Sequence, residues 1–319
     1  ATDGTEVMIF VGNRGCIEIH GGLIETVTLG TTDPGTDPIA ATSILIRDTS
    51  SVGSFFNQGV INTIITSDNG SAFGLVDESG SVTDVRNSGG IVVRVLDDVS
   101  DGNETNDPTG QAVAMDFSAN TSGVTITNTV SDDFGPGDNR AEFGIVVGDV
   151  LLGSGDDFYI ADAGRTSGNL FLGAGDDTVD LSISTSIMGN IDFDEGDDTL
   201  RASDSMIIGD LAFGAGMDSF NMSDNAMFNG VITDSDGALD ISLASGSILN
   251  FGNATDLGTT TLNISSLIVD ATSTLGVAIA DMGTGTTQLG VSGTALLEAG
   301  ATINPIFLGA VPNGSLTST

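Results

Sequence analysis

The sequence predicts an all-β chain wound as a parallel β-helix, a solenoid of about 20 residues per coil, and three observations carry that prediction. First, four segments of the middle region align without gaps: Gly148-Asp-Val-Leu-Leu-Gly-Ser-Gly-Asp-Asp157, Gly168-Asn-Leu-Phe-Leu-Gly-Ala-Gly-Asp-Asp177, Gly189-Asn-Ile-Asp-Phe-Asp-Glu-Gly-Asp-Asp198 and Gly209-Asp-Leu-Ala-Phe-Gly-Ala-Gly-Met-Asp218. Their last Asp recurs at 157, 177, 198 and 218, steps of 20, 21 and 20, and a degraded fifth copy follows at Gly230–Leu239. A fixed period near 20 marks a stack of structural repeats. Second, apolar residues alternate with polar ones inside each copy, which is the periodicity of strands. Third, Gly, Asn, Asp, Ser and Thr interrupt every stretch long enough for helical turns.

Taken in chain order, residues 1–147 form irregular N-terminal coils. Val60–Ile65, Gly80–Gly89 and Gly90–Val95 read as strands between Gly/Asn/Ser turns, and Asp97–Gly110 as a polar loop excursion. Residues 148–240 are the regular repeats. Val150/Leu170/Ile191/Leu211 and Leu152/Leu172/Phe193/Phe213 make two apolar columns before the Gly turn. Tyr159/Val179/Leu200/Phe220 and Ala161/Leu181/Ala202/Met222 make two after it, and Ile187-Met188 and Ile207-Ile208 suggest a third short strand. Residues 241–319 continue through Leu243–Phe251, Thr261–Val269, Leu275–Ile279, Thr287–Val291 and Ala301–Phe307. At about 20 residues per coil the chain would give roughly 15 coils, a rod about 70–75 Å long, with one core and hence one domain, 1–319.

Composition narrows the function classes. The 44 Asp and Glu face seven basic residues, all Arg, for a net charge of −37. A surface this acidic repels nucleic-acid phosphates and anionic lipid, so neither is an expected partner. No apolar run approaches the roughly 18–20 residues of a membrane span; Gly144–Leu152, among the longest, contains Asp149. The absence of Lys removes Schiff-base and Lys–phosphate chemistry. The single Cys16 forms no internal disulfide and no Cys-ligated metal site, and is expected as a small buried strand residue. His20 is the only His, which leaves no multi-His zinc site and no His-paired nucleophile. No leader is visible, and Ala1-Thr2-Asp3 reads as a processed or cut start.

The candidate functional residues are the acids that end each copy. Stacked by the coils, Asp156, Asp157, Asp176, Asp177, Asp197, Asp198 and Asp218 would line one edge. Carboxylates about 4.8 Å apart repel by about 0.9 kcal/mol in water, and by roughly 3.5 kcal/mol at an effective dielectric near 20. Only Arg165 and Arg201 lie near the repeats. Two arrangements would relieve the repulsion. A calcium ion between coils could take Asp carboxylates and Gly-turn carbonyls as ligands. Alternatively, and preferred here, one Asp of each pair caps turn amides while the other is solvated and screened by salt. Asn169 and Asn190, with Asp149 and Asp210 at the equivalent position, read as turn-stabilising stacks.

Two resemblances bear on these residues. Gln111-Ala-Val-Ala-Met-Asp-Phe-Ser-Ala-Asn-Thr-Ser-Gly-Val124 is similar to the segment preceding the acidic coils in passenger domains of bacterial autotransporters (type V secretion) of the α-proteobacterial type. Leu289-Gly-Val-Ser-Gly-Thr-Ala-Leu-Leu-Glu-Ala-Gly-Ala-Thr-Ile-Asn-Pro305 is similar to a passenger's last coils. The resemblance covers roughly 80–319. It implies a right-handed β-helix exported to the surface of a Gram-negative bacterium, and the family's C-terminal β-barrel translocator is missing from the sequence. The Gly-x-Gly-x-Asp cores of Gly153–Asp157, Gly173–Asp177 and Gly214–Asp218 resemble calcium-binding RTX repeats. RTX proteins, however, carry nine-residue tandem copies, whereas this chain has one copy per coil.

Three function classes follow. The preferred one is a structural or adhesive surface module that meets a second copy, a glycan or a surface, with calcium as a bridging ion. No enzyme is expected, because no unique catalytic constellation stands out. The alternatives are a polysaccharide lyase or hydrolase using a carboxylate pair such as Asp197/Asp198, and a passive stalk displaying another module.

Overall fold

The computed structural model describes residues 15–19, 23–29, 40–67, 69–97, 108–130, 144–252, 261–280 and 288–308. It is a parallel β-helix. Thirty strands form three sheets of 11, 11 and 8 strands, and successive strands enter the first, second and third sheet in turn. The coil that begins with Gly15–Ile19 continues through Leu23–Leu29 and Ala40–Ile46, and each of these strands pairs in parallel with its counterpart one coil later. The third sheet ends at Ile232–Asp234, so the last three coils contribute strands to the first two sheets only. Among the described residues there is no helix at all, hence none long and apolar enough to cross a membrane.

The predicted columns are the core. Val150 pairs with Leu170, Leu170 with Ile191 and Ile191 with Leu211, all buried. The columns starting at Leu152, Tyr159 and Ala161 are buried along their length as well. The third strand suggested by Ile187 and Ile207 is present as Ser186–Met188 and Met206–Ile208, with both Ile side chains inside. One apolar cluster runs from Ile17 to Leu275. Within it Phe193 stacks on Phe213 at 4.9 Å, and Phe220 meets Phe228 edge-on at 5.7 Å. Coil stacking also explains the repeat's leading Gly. Gly189 has φ +155°, and a Cβ there would lie 2.0 Å from the Gly168 carbonyl oxygen of the coil below.

Three expectations need correction. The pitch of 20 to 21 residues holds only in the middle, where the paired positions are 159, 179, 200, 220 and 241. Upstream the paired positions 55, 85, 126 and 159 give steps of 30, 41 and 33. Downstream, 241, 267 and 295 give 26 and 28. The described residues therefore make eleven coils, a rod about 48 Å long, in place of the predicted fifteen. The longer steps coincide with longer strands, such as Val60–Thr66 and Gln288–Leu297, and with residues outside the described ones, such as 98–107 and 131–143. Leu243–Phe251 is also not one strand. Ser245 and Gly246 take positive φ in a turn between Asp240–Leu243 and Ile248–Phe251, so the chain changes sheet there. Cys16 lies in the first strand but points outward, because Ile17 takes the inward position. Burial of its surroundings and the neighbouring Glu18 raise its pKa, so the thiol keeps its proton. His20 and residues 98–107 of the acidic excursion lie outside the described residues.

Because the core is a stack of like residues, cutting one layer leaves a void its neighbours cannot close. Phe193→Ala is expected to lose about 3–5 kcal/mol, read as a lower urea midpoint by circular dichroism; an unchanged midpoint would contradict this packing.

Candidate functional site

The acidic residues occupy the turn between the third and first sheets, just before the strands Phe158–Asp162, Thr178–Ser182, Thr199–Ser203 and Ser219–Ser223. Strand alternation splits each Asp-Asp pair. Asp157, Asp177, Asp198 and Asp218 share parity with the buried Tyr159, Val179, Leu200 and Phe220, and are themselves only 0–2% exposed. Asp156, Asp176 and Asp197 point outward into solvent, as does Met217, which takes the fourth place. The seven predicted residues thus form two columns, one inside and one outside.

Both columns cap backbone amides, and they do so in opposite directions. In the inner column each Oδ1 accepts from the coil before it. Asp157 takes the Val124 amide at 2.5 Å, Asp177 the Asp157 amide at 2.7 Å, Asp198 the Asp177 amide at 2.8 Å and Asp218 the Asp198 amide at 2.9 Å. In the outer column each Oδ1 accepts from the coil after it. Asp156 takes the Asp176 amide at 3.1 Å, Asp176 the Asp197 amide at 2.9 Å and Asp197 the Met217 amide at 2.8 Å. Capping by one Asp of each pair was expected; in the structure both members cap, and the amide served belongs to a neighbouring coil. The second stack is as predicted. Asp149, Asn169, Asn190 and Asp210 accept in turn from the amides of Asn169, Asn190, Asp210 and Val231, all at 2.8–2.9 Å.

The inner column has an electrostatic consequence. The Oδ2 atoms of Asp157, Asp177, Asp198 and Asp218 are buried without a hydrogen-bond partner. Burial disfavours the charged form and the donated amide only partly offsets it. Asp157 and Asp218 are pushed up to about 6, Asp198 to about 7 and Asp177 to about 8. Asp177 has buried acids on both sides, Asp157 and Asp198, which add to the rise. The column is bounded by apolar residues. Val124 and Leu239 hold the equivalent turn positions before and after it, both fully buried. Four coils therefore carry a carboxyl where the adjoining coils carry a hydrocarbon.

A third polar ladder escaped the sequence reading. Asn57, Asn87 and Asn128 are buried at the ends of first-sheet strands. Asn57 Nδ2 donates to Asn87 Oδ1 at 2.8 Å, and Asn87 Nδ2 to Asn128 Oδ1 at 2.9 Å. Its only sequence signal is the shared Asn-x-Gly of Asn57-Gln-Gly59 and Asn87-Ser-Gly89, at unequal intervals.

Among the described residues no group of three or more His, Cys, Asp or Glu side chains is placed to hold a metal ion. For the capping arrangement the first duty of each column is to amides. A carboxylate pair such as Asp197/Asp198 is also divided by the turn, one member in solvent and one in the core, so the two do not face a common substrate position. No family model, curated protein or solved structure matches the chain.

Unfolded, the inner carboxyls titrate near their ordinary value of 3.8, whereas in the fold they hold protons up to about 6–8. The folded chain therefore binds more protons than the unfolded one between these limits. That contribution is fully present below the unfolded value and is lost as pH rises through 6 to 8. Asp177→Asn keeps the acceptor for the Asp157 amide and removes the ionisation. It is expected to flatten the fall of melting temperature between about pH 6 and 8. A slope equal to that of the unsubstituted chain would show that the buried column does not hold its protons.

Proposed function

We propose that the chain is a structural, adhesive module displayed outside the cell, of the kind borne by autotransporter passengers. The observation that supports this best is the assignment of the repeat's acids. Side chains that could serve acid–base chemistry are taken up one by one in capping the adjoining coil, and their product is a rod with flat, repeated faces. Such faces suit shallow contacts that gain strength by number, with each coil adding a small increment to one extended surface. The high negative charge fits an exposed protein that must stay dispersed until a matching surface meets it. Export across the outer membrane of a Gram-negative bacterium belongs to the same reading, through the resemblance of Gln111–Val124 and Leu289–Pro305 to passenger coils. A bridging calcium ion would act between exposed acids of separate molecules, outside the capped columns.

The purified chain is expected to be retained on cell or abiotic surfaces under flow, and to release no reducing ends from a panel of acidic glycans. Glycan cleavage by the chain would overturn the adhesive reading in favour of an enzyme. Retention that vanishes in EDTA and returns with calcium would assign the contact to bridging cations.

A further inference from the structure

The two ends of the rod differ. At the first coil the inward side chains are covered: Ile17, Ala41 and Ile44 are all buried. At the last coil they are not. The register sets Leu297 over Val269 and Ile303 over Leu275, yet exposure rises from 0% at Val269 to 41% at Leu297, and from 5% at Leu275 to 59% at Ile303. Among the described residues no strand follows Gln288–Leu297 or Thr302–Leu308 in its sheet, so among them the outer amides and carbonyls of these two strands have no ladder partner. Thr302–Leu308 is blunted by Pro305, which has no N–H to offer. Gln288–Leu297 is not blunted. It is the longest strand described, ten residues without a charge or a Pro. In a chain of net charge −37, the strands of the last two coils carry no acid at all.

The residues along this strand are also symmetric. Its inward row is Leu289, Val291, Ala295 and Leu297, set over the buried Leu262, Ile264, Leu267 and Val269. These positions are symmetric about Gly293, and the one irregularity of register, opposite Ser265, falls at that centre. Laid antiparallel on a second copy about a two-fold axis at Gly293, Leu289 meets Leu297 and Val291 meets Ala295. On the outward row Gly290 meets Leu296 and Ser292 meets Thr294. Gln288 falls opposite Glu298, and the two Glu298 residues stand about 33 Å apart.

We propose that a second copy of this chain docks end to end on the last coil, the two Gln288–Leu297 edges joining antiparallel into one continuous sheet. This goes beyond the adhesive reading and does not rest on it. The symmetry of the strand selects the occupant. Pairing with a copy sets each inward apolar residue of the strand against another and stacks no acid on acid. The first coil offers no such edge, because its inward residues are already buried and its strands carry Glu18 and Glu25. The assembly therefore closes at two and does not grow head to tail. The contact is small. A facet about 33 Å long and 10 Å deep covers on the order of 330 Å² per copy, or about 660 Å² for the pair. That places the dimer among weak, reversible complexes, with main-chain pairing as its source of affinity and the inward row as its source of register.

The test is sedimentation of the purified chain from roughly 10 to 500 μM, with X-ray scattering and amide hydrogen exchange on the same samples. A reversible dimer is expected, about twice as long as the monomer and with no larger species. The outer amides of Gln288–Leu297 should exchange at least about tenfold more slowly in the dimer, a readout that needs no variant. Ala295→Asp sets a carboxylate against Val291 of the second copy and should weaken the dimer at least about tenfold. Ala295 is already exposed, so the circular dichroism spectrum should not change. Asn221→Asp adds the same charge to an exposed position of Ser219–Ser223 and should leave the dimer intact. A monomer at every concentration would overturn the proposal, and slow exchange over Gln288–Leu297 in that monomer would assign the cover to the same chain. A dimer that leaves this exchange unchanged, or that Ala295→Asp does not weaken, would remove this end as the interface. Growth into filaments would replace the closed pair with head-to-tail addition.

Discussion

The structure depends on one accounting rule: every backbone amide aimed along the rod must find its acceptor one coil away. In the strands the rule is met by the parallel ladder itself. At the turns the backbone bends out of register and the amides lose their ladder partners, so side chains must take over. Asp and Asn suit that place because they bring an acceptor oxygen two bonds from Cβ and reach a neighbour about 4.8 Å away. The repeat's Gly residues follow from the same constraint, since at Gly189 the coils approach too closely for a side chain.

Meeting that rule with Asp on the inward side of the turn sets up a conflict. The amide gains its acceptor, but the second carboxyl oxygen is carried into the core with nothing to bond it. Protonation removes the charge and most of the penalty, which ties the packing of the central coils to pH. Asn would serve the amide without that link, as Asn169 and Asn190 do on the neighbouring stack. The inner column is thus the part of the rod whose cohesion responds to acidity, while the outer acids are solvated and mainly set how molecules approach one another.

The fold was legible in the sequence because its core is periodic. A constant step of 20 to 21 and the alternation around Tyr159, Val179 and Leu200 specify strands, sheets and columns together. The division of each Asp pair was legible too: Asp157 lies two residues before Tyr159, and parity alone sends it inward. What concealed this was the habit of reading charge as surface. Coil number was not legible, because strand lengths vary from two residues at Leu170–Phe171 to ten at Gln288–Leu297, and the steps of 30 to 41 upstream follow no period. The Asn57–Asn87–Asn128 ladder was hidden for the same reason.

The opposed sense of the two Asp ladders ties each coil of the repeat to both of its neighbours. A coil with a finished coil before it already has the outer carboxylates of that predecessor waiting for its own amides, as Asp156 waits for Asp176. Its inner amides stay open until the coil that follows arrives with its carboxyl, as Asp157 waits for Asp177. Winding from the N-terminus, each newly laid turn is therefore received by a template and in the same act seals the turn beneath it. A chain threaded out through a pore, one end first, would meet that condition at every step, and each sealed turn would resist slipping back.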